Sequence, residues 1–305
     1  MRGMQPGNAP ASDAPLTRDA QDAHDAQDAQ DAQDAQDAQD AQRRFRRAYA
    51  EQRAAEGRGE GGAAELLALP YMHAGPTARA WGVRARTFER FLDVVIAHGL
   101  AERSNGALRI LDVGAGNGWL SYRVTRMGHR ATAIDIRDDH VDGLGAAGGY
   151  AAHLDTMFER AAASFEHLPF RSAIFDIVVF NASLHYAPRL ADVLSEAARV
   201  ACTGGRIVIL DSPFYATDAA GAAMVAEKHA HATQQFGARA ADLLGVPAIE
   251  YLTRDRLERA AAGLSLSWRR HAVRYPLWYR VRPLLAAVRR RRSPSRFDLW
   301  ETTVS

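Results

Sequence analysis

The sequence predicts an α/β fold on a mostly parallel sheet, and three observations predict it. Apolar runs at 108–113, 130–136, 175–180 and 206–210 recur with helical patterns between them. They are apolar at consecutive positions, as a sheet covered by helices on both faces requires. The first run breaks into three glycines at alternate positions, Gly114, Gly116 and Gly118, and then into an amphipathic stretch. Strand, glycine turn and helix open a nucleotide-type unit, because glycine accepts positive φ and lets a ligand lie on bare backbone.

Residues 19–42 repeat Asp-Ala-Gln, with His24 the one exception. A period of three holds no constant face on a helix, and nothing larger than alanine is there to bury. Residues 1–62 are therefore expected to be a disordered low-complexity tail and linker, or at most a solvated helix within the repeat; the first part of 43–62 suits a short basic helix, and its glycines make the linker. The ordered fold is expected over 63–305. N-terminal helices at 63–105 split at Gly75 and Pro76, and Trp81, Phe88, Leu92, Val95 and Ile96 recur at helical spacing.

The core, 106–212, carries strands at the four runs above and a weak one near 162–165. Helices are expected at 117–127, 138–147, 153–161 and 189–202. A break at Thr203, Gly204 and Gly205 precedes the 206–210 strand. Residues 213–250 are expected to be a helical insertion. A helix at 253–262 follows, capped by Thr253. Strand candidates at 264–275 and 296–304 lack a βα crossover, so they are expected to form an antiparallel terminal hairpin. That makes seven strands.

The chain has 305 residues, and its single Cys202 excludes an intrachain disulfide. No apolar run reaches the roughly 20 residues of a membrane span, and the polar N-terminus has no signal core, so the sequence reads as cytoplasmic. Residues 1–42 hold nine Asp and two Arg, a net of −7; the whole chain is +2, so the remainder is +9. Lys228 is the sole lysine. A basic body attracts anionic partners, although a GC-rich gene explains an arginine excess as well.

LDVGAGNGWL resembles the first motif of class I S-adenosylmethionine-dependent methyltransferases. AIDI, ending at Asp135 and Ile136, resembles the second-strand motif. SFEHLPF and FDIVVFNASLHY are similar to motifs of the ubiquinone/menaquinone-type, small-molecule branch, and EAARVACTGGRIVILD to the helix and fifth strand that follow. The resemblance covers about 105–212. It implies a Rossmann-like sheet, S-adenosyl-L-methionine as cofactor, and methyl transfer to a small-molecule or lipid-like acceptor.

The resemblance also implies a site. Asp112, Gly114, Ala115 and Gly116 seat the amino-acid end of the cofactor. Asp135, with Ile136, accepts from the ribose hydroxyls, a task suited to a carboxylate, which only accepts. Ser164 and Phe165 form the adenine turn; many relatives carry an acidic residue where Ser164 stands. Asn181 faces the cleft at the strand ends. His185 and Tyr186 are the candidate catalytic groups. Tyr71, Trp81, Arg84 and Arg86 lie in a segment that closes over the cofactor in this branch.

Two rival readings are a cofactor-binding protein without catalysis and a dinucleotide oxidoreductase. The dinucleotide fingerprint needs a third glycine where Trp119 stands. The aminomethylating motif of DNA enzymes is absent after Asn181, so no nucleic acid is expected. The histidines lack metal-ligand spacing, so no metal is expected. The run Arg289, Arg290, Arg291 and Arg292, preceded by Trp278, Tyr279, Leu284 and Leu285, offers either a weak peripheral membrane contact or a solvated basic loop.

Overall fold

The computed structural model describes residues 18–55, 62–101 and 106–305. They fall into two units, 1–44 and 45–305. Helix α1 (Arg18–Ala55) carries the Asp-Ala-Gln repeat. A period of three also places each glutamine four residues before an aspartate. Gln30 donates to Asp34 at 2.7 Å and Gln33 to Asp37 at 2.8 Å. Such i,i+4 pairs support a helix that has no apolar face. The expectation over 1–62 kept a solvated helix open, and residues 18–55 are helical here; its parts on 1–17 and 56–61 lie outside the described residues. The main unit begins at Phe45, ahead of the start expected near 63.

In the main unit, α2 (Gly62–Ala68) and α3 (Ala78–Phe91) precede the sheet. The latter passes through a π-helical turn (Leu92–Ile96) into α4 (Ala97–Ala101). Then come β1 (Arg109–Val113), α5 (Trp119–Arg126) and β2 (Arg130–Asp135). The helices expected at 138–147 and 153–161 are absent. Turns and a 3-10 helix (Ala146–His153) lead to β3 (Glu159–Ala162). The cause is a tight turn in which Asp139 Oδ1 accepts from the backbone N–H of Val141 and Asp142. A Cβ on Gly143 would lie 2.8 Å from Asp139 N, so no helix with side chains fits there.

β4 (Phe175–Asn181), α6 (Leu190–Val200) and β5 (Ala201–Leu210) follow. The break expected at 203–205 is an irregularity inside β5, where Gly204 has φ +76°. Helices α7 (Asp218–Phe236) and α8 (Ala240–Leu244) make the insertion. α9 (Arg254–Ala261) is capped by Thr253, which accepts from Arg256 N at 3.2 Å. β6 (Arg269–His271), α10 (Leu277–Arg280), α11 (Arg282–Val288) and β7 (Leu299–Thr303) end the chain.

The seven strands run in the order β3-β2-β1-β4-β5-β7-β6, and β7 alone is reversed, antiparallel to both of its neighbours. The consecutive apolar strands serve two cores. Ile177 and Val179 of β4 face the core that holds Phe88, Phe91, Trp119 and Tyr122. Val178 and Phe180 face the other, under α6 and α9. Trp119 is buried edge-on against Trp81 and Phe88, with ring centroids at 5.8 and 5.3 Å. An indole fits there because α3 covers it, whereas a dinucleotide fold needs glycine for close helix–strand contact. Trp119→Ala is expected to cost about 3–5 kcal/mol, read as a lower urea midpoint with an unchanged slope.

Candidate active site

β1, β2, β4 and β5 end on one rim, and a cavity lies above it. Its floor begins with the turn after β1. Gly114 N and Ala115 N both donate to Ile134 O, at 2.8 and 2.9 Å, so the turn is pinned to β2. Gly114 has φ +73°, and a Cβ on it would meet that of Ser183 at 2.4 Å. Ser183 in turn donates to Val113 O and draws the loop after β4 against the same turn. Only glycine satisfies both the backbone and the space at position 114.

Asp135 stands at the end of β2. Its Oδ2 accepts from Gly116 N at 2.8 Å and its Oδ1 from Arg137 N at 2.9 Å. Burial raises its pKa, and those two N–H groups with Arg137 pull it back. A carboxylate has about four acceptor positions, so two remain for a ligand. Gly114, Ala115, Gly116, Asp135, Ile136, Phe165, Asn181, His185 and Tyr186 all line the cavity.

Two residues of the expected site do not line it. Asp112 is fully buried behind the turn, where it accepts from Ser121 Oγ at 2.9 Å and ties β1 to the start of α5. Burial pushes its carboxyl up to about 7. It braces the turn from behind and does not line the cavity. Ser164 accepts from Glu166 N at 3.4 Å and so braces its own turn; Phe165 reaches the cavity instead. Strand residue Asp112 points inward by alternation, and the hydroxyl at 164 is too short to leave its turn.

The last residue of β4 is Asn181, whose buried Oδ1 has no partner, and the loop after it supplies His185, whose buried Nδ1 has none either. Burial, with the cations Lys228, Arg84 and Arg53 nearby, pushes the imidazole down to about 3. Among the expected N-terminal residues, Trp81 and Arg84 line the cavity, with Arg84 4.7 Å over the Trp81 ring. Arg86 is turned out to Glu89, and Tyr71 is exposed beneath Arg123.

Several lining residues escape the sequence reading. Tyr49 and Arg53 come from the stretch read as a short basic helix ahead of the linker glycines, with no part in the site. The Tyr49 hydroxyl lies 3.1 Å from that of Tyr186, Arg46 donates to Ile136 O at 3.1 Å, and Arg53 Nε donates to Asp142 at 3.0 Å. Asp142 also accepts from Asn117, so this part of α1 is fastened to the glycine turn. Phe45 and Tyr49, four apart among arginines, are the signal that was available. Lys228 of the insertion pairs with Glu250 at 2.6 Å on the cavity wall.

Asp211, after β5, also lines the cavity. It is buried with φ +50°, a conformation rare outside glycine, and its Oδ1 has no partner. Burial pushes it up to about 6, partly offset by Arg84 and Thr87. Among the described residues no group of three or more His, Cys, Asp or Glu side chains is arranged to hold a metal ion.

Residues 111–209 match the family described as "Methyltransferase domain". The chain is similar to a ubiquinone/menaquinone biosynthesis C-methyltransferase of Rhizobium etli, 33% identical over 122 residues, which are 39% of this chain and 46% of the relative. It is also similar to a malonyl-[acyl-carrier protein] O-methyltransferase of Geobacter sulfurreducens, 34% identical over 127 residues, 40% of this chain and 43% of the relative. The chain thus spans about half the length of the curated relatives it matches. A solved structure, magnesium protoporphyrin IX methyltransferase of Synechocystis with bound SAH, aligns at a TM-score of 0.48 with 16% identity, over 77% of this chain and 91% of that one. The matched segment coincides with the strands and turns that build the rim.

Asp112 generates a pH prediction. Its folded pKa lies above the unfolded value near 4, so its contribution to stability is full below about 4 and is lost as pH rises through about 7. The stability difference between wild type and Asp112→Asn, measured by urea denaturation, is expected to shift against the wild type over that window.

Proposed function

We propose that the protein transfers a methyl group from S-adenosyl-L-methionine to a small-molecule or lipid-like acceptor. The observation that carries the reading is one cavity in which bare backbone at 114–116 and the Asp135 carboxylate lie side by side. Gly114, Ala115 and Gly116 bind the amino-acid end, Asp135 the ribose, and Phe165 packs on the adenine. When bound, the cofactor supplies an activated methyl group. The chain's task is then to orient an acceptor atom and exclude water, effects worth up to about 7–11 kcal/mol.

The β4–β5 half of the cavity, away from Asp135, is the acceptor half. His185 is neutral and offers Nδ1 as a hydrogen-bond acceptor, but a group that protonates only near 3 is a weak base. Its proposed role is to orient the acceptor, together with the Tyr186 hydroxyl. Asp211, which protonates near 6, is the better base and removes the acceptor's proton where the acceptor is a hydroxyl. Arg84, between Trp81 and Asp211, keeps that carboxylate ionised at neutral pH.

Calorimetry with S-adenosylhomocysteine tests the donor. Binding is expected, and Asp135→Ala is expected to weaken it tenfold or more, since each hydrogen bond to a charged group is worth about 1.5–3 kcal/mol. NADH binding with no binding of the homocysteine product sinks the reading in favour of an oxidoreductase. Mass spectrometry of extracts from cells with and without the gene, searched for the mass of one added methylene, identifies the acceptor.

With that acceptor, transfer by the wild type is expected to rise with pH through about 6, as Asp211 ionises. Asp211→Asn is expected to lose that inflection and about 10²–10⁴-fold in kcat, with product affinity unchanged. An Asp211→Asn enzyme that keeps the wild-type pH–rate profile removes Asp211 from the mechanism.

A further inference from the structure

The large hydrophobic side chains that this fold leaves exposed are unevenly placed. Of eight such side chains among the described residues, five are Leu277, Trp278, Leu284, Leu285 and Val288, on α10 and α11. Leu277, Leu284 and Val288 are 71%, 66% and 74% exposed, values at which they pack on nothing in this chain. Leu284, Leu285 and Val288 follow i, i+1, i+4 spacing, which puts them on one side of α11. The segment is not loose, however. Tyr279 of α10 is buried against Val83 and Tyr275, so the patch is carried by a packed anchor.

The charge around the patch has one sign. From 272 to 297 the chain holds eight arginines and no acidic residue. Arg280, Arg289, Arg290 and Arg291 are exposed. Arg79 joins them, 4.7 Å over the Trp278 ring. Arg292 does not: it donates to Glu227 at 2.7 Å and to Tyr215 Oη at 3.3 Å. The four arginines expected to act as one run are therefore split, with three facing solvent and the fourth fastening the segment to α7.

We propose that the α10–α11 face docks on an anionic lipid bilayer, with the leucines and Val288 entering the headgroup boundary and Arg280 and Arg289 to Arg291 meeting lipid phosphates. Aliphatic side chains at this exposure gain from an apolar phase, and the arginines around them gain from negative surface charge. A nucleic acid satisfies only the arginines. A second copy of the same face brings the same positive charge against them. The inference stands on the exposed face alone and does not depend on the methyl-transfer reading.

Co-sedimentation of the full chain with vesicles tests this. The vesicles are phosphatidylcholine alone, or phosphatidylcholine with about a third phosphatidylglycerol, in roughly physiological salt. At least tenfold stronger partition onto the anionic vesicles is expected. Arg289→Gln with Arg290→Gln and Arg291→Gln is expected to lower it by up to about a hundredfold. Leu284→Ser with Leu285→Ser and Val288→Ser is expected to lower it at least about tenfold. All six side chains are exposed, so both variants are expected to melt like the wild type. No binding to either vesicle, or equal binding to both, overturns the proposal. So does a loss confined to the arginine variant, with single-stranded RNA displacing the vesicles, since that marks a general polyanion site.

Discussion

The turn from Val113 to Gly118 has to reverse the chain at the rim of the sheet without side chains in its way, and the site depends on that. Three neighbours grip it. Ile134 O takes two of its N–H groups, Asp135 takes a third, and Ser183 reaches across from β4 to Val113 O. The Ser183 grip uses space that a Cβ at Gly114 would occupy. The ends of β1, β2 and β4 are thereby set relative to one another before any ligand arrives, and a preorganised rim costs nothing further when a ligand binds. Asp112 and Asn117, buried beneath and beside the turn, hold its exit into α5.

The same rim separates two electrostatic environments. On the β1–β2 side, carboxylates and backbone N–H groups dominate, with Asp135 and Asp142 each tied to several donors. On the β4–β5 side, Asn181, His185 and Asp211 each keep a buried atom without a partner, and Arg84 and Lys228 stand close by. Unpaired buried polar atoms are costly, by about 1–3 kcal/mol each, and three around one cavity are unusual in a well-satisfied interior. Left-handed backbone at Ala182 and Asp211 falls on this side as well. Strain and unmet hydrogen-bonding capacity are thus both present where the proposed acceptor enters.

The parts of the fold that were legible were those with strong local signals. The four inner strands carry apolar residues at consecutive positions because both faces are covered, and Thr253 caps its helix as its position before an acidic turn suggested. Trp119 argued against a dinucleotide site, and its burial under α3 supplies the physical reason. Residues 138–161 misled because their alanines suit a helix, while the Asp139 side chain and the glycines after it favour a tight turn. Tyr49 and Arg53 were missed because their partners, Tyr186 and Asp142, lie about 90 or more residues away. Asp211 looked like a strand-end residue, and nothing local shows that its carboxylate turns into a cavity.

By itself, then, the sequence determined the sheet, its glycine turn and the carboxylate that follows the second strand, because strand periodicity, glycine φ and strand-end position are local properties. The tertiary structure decided which of the marked residues meet. It buried Asp112 behind the turn, kept Ser164 in its own loop, and brought Tyr49, Arg84, Lys228 and Asp211 to one cavity from four separate segments. It also left α10 and α11 with an uncovered apolar face among arginines. Those outcomes rest on long-range packing and desolvation, which no window of neighbouring residues contains.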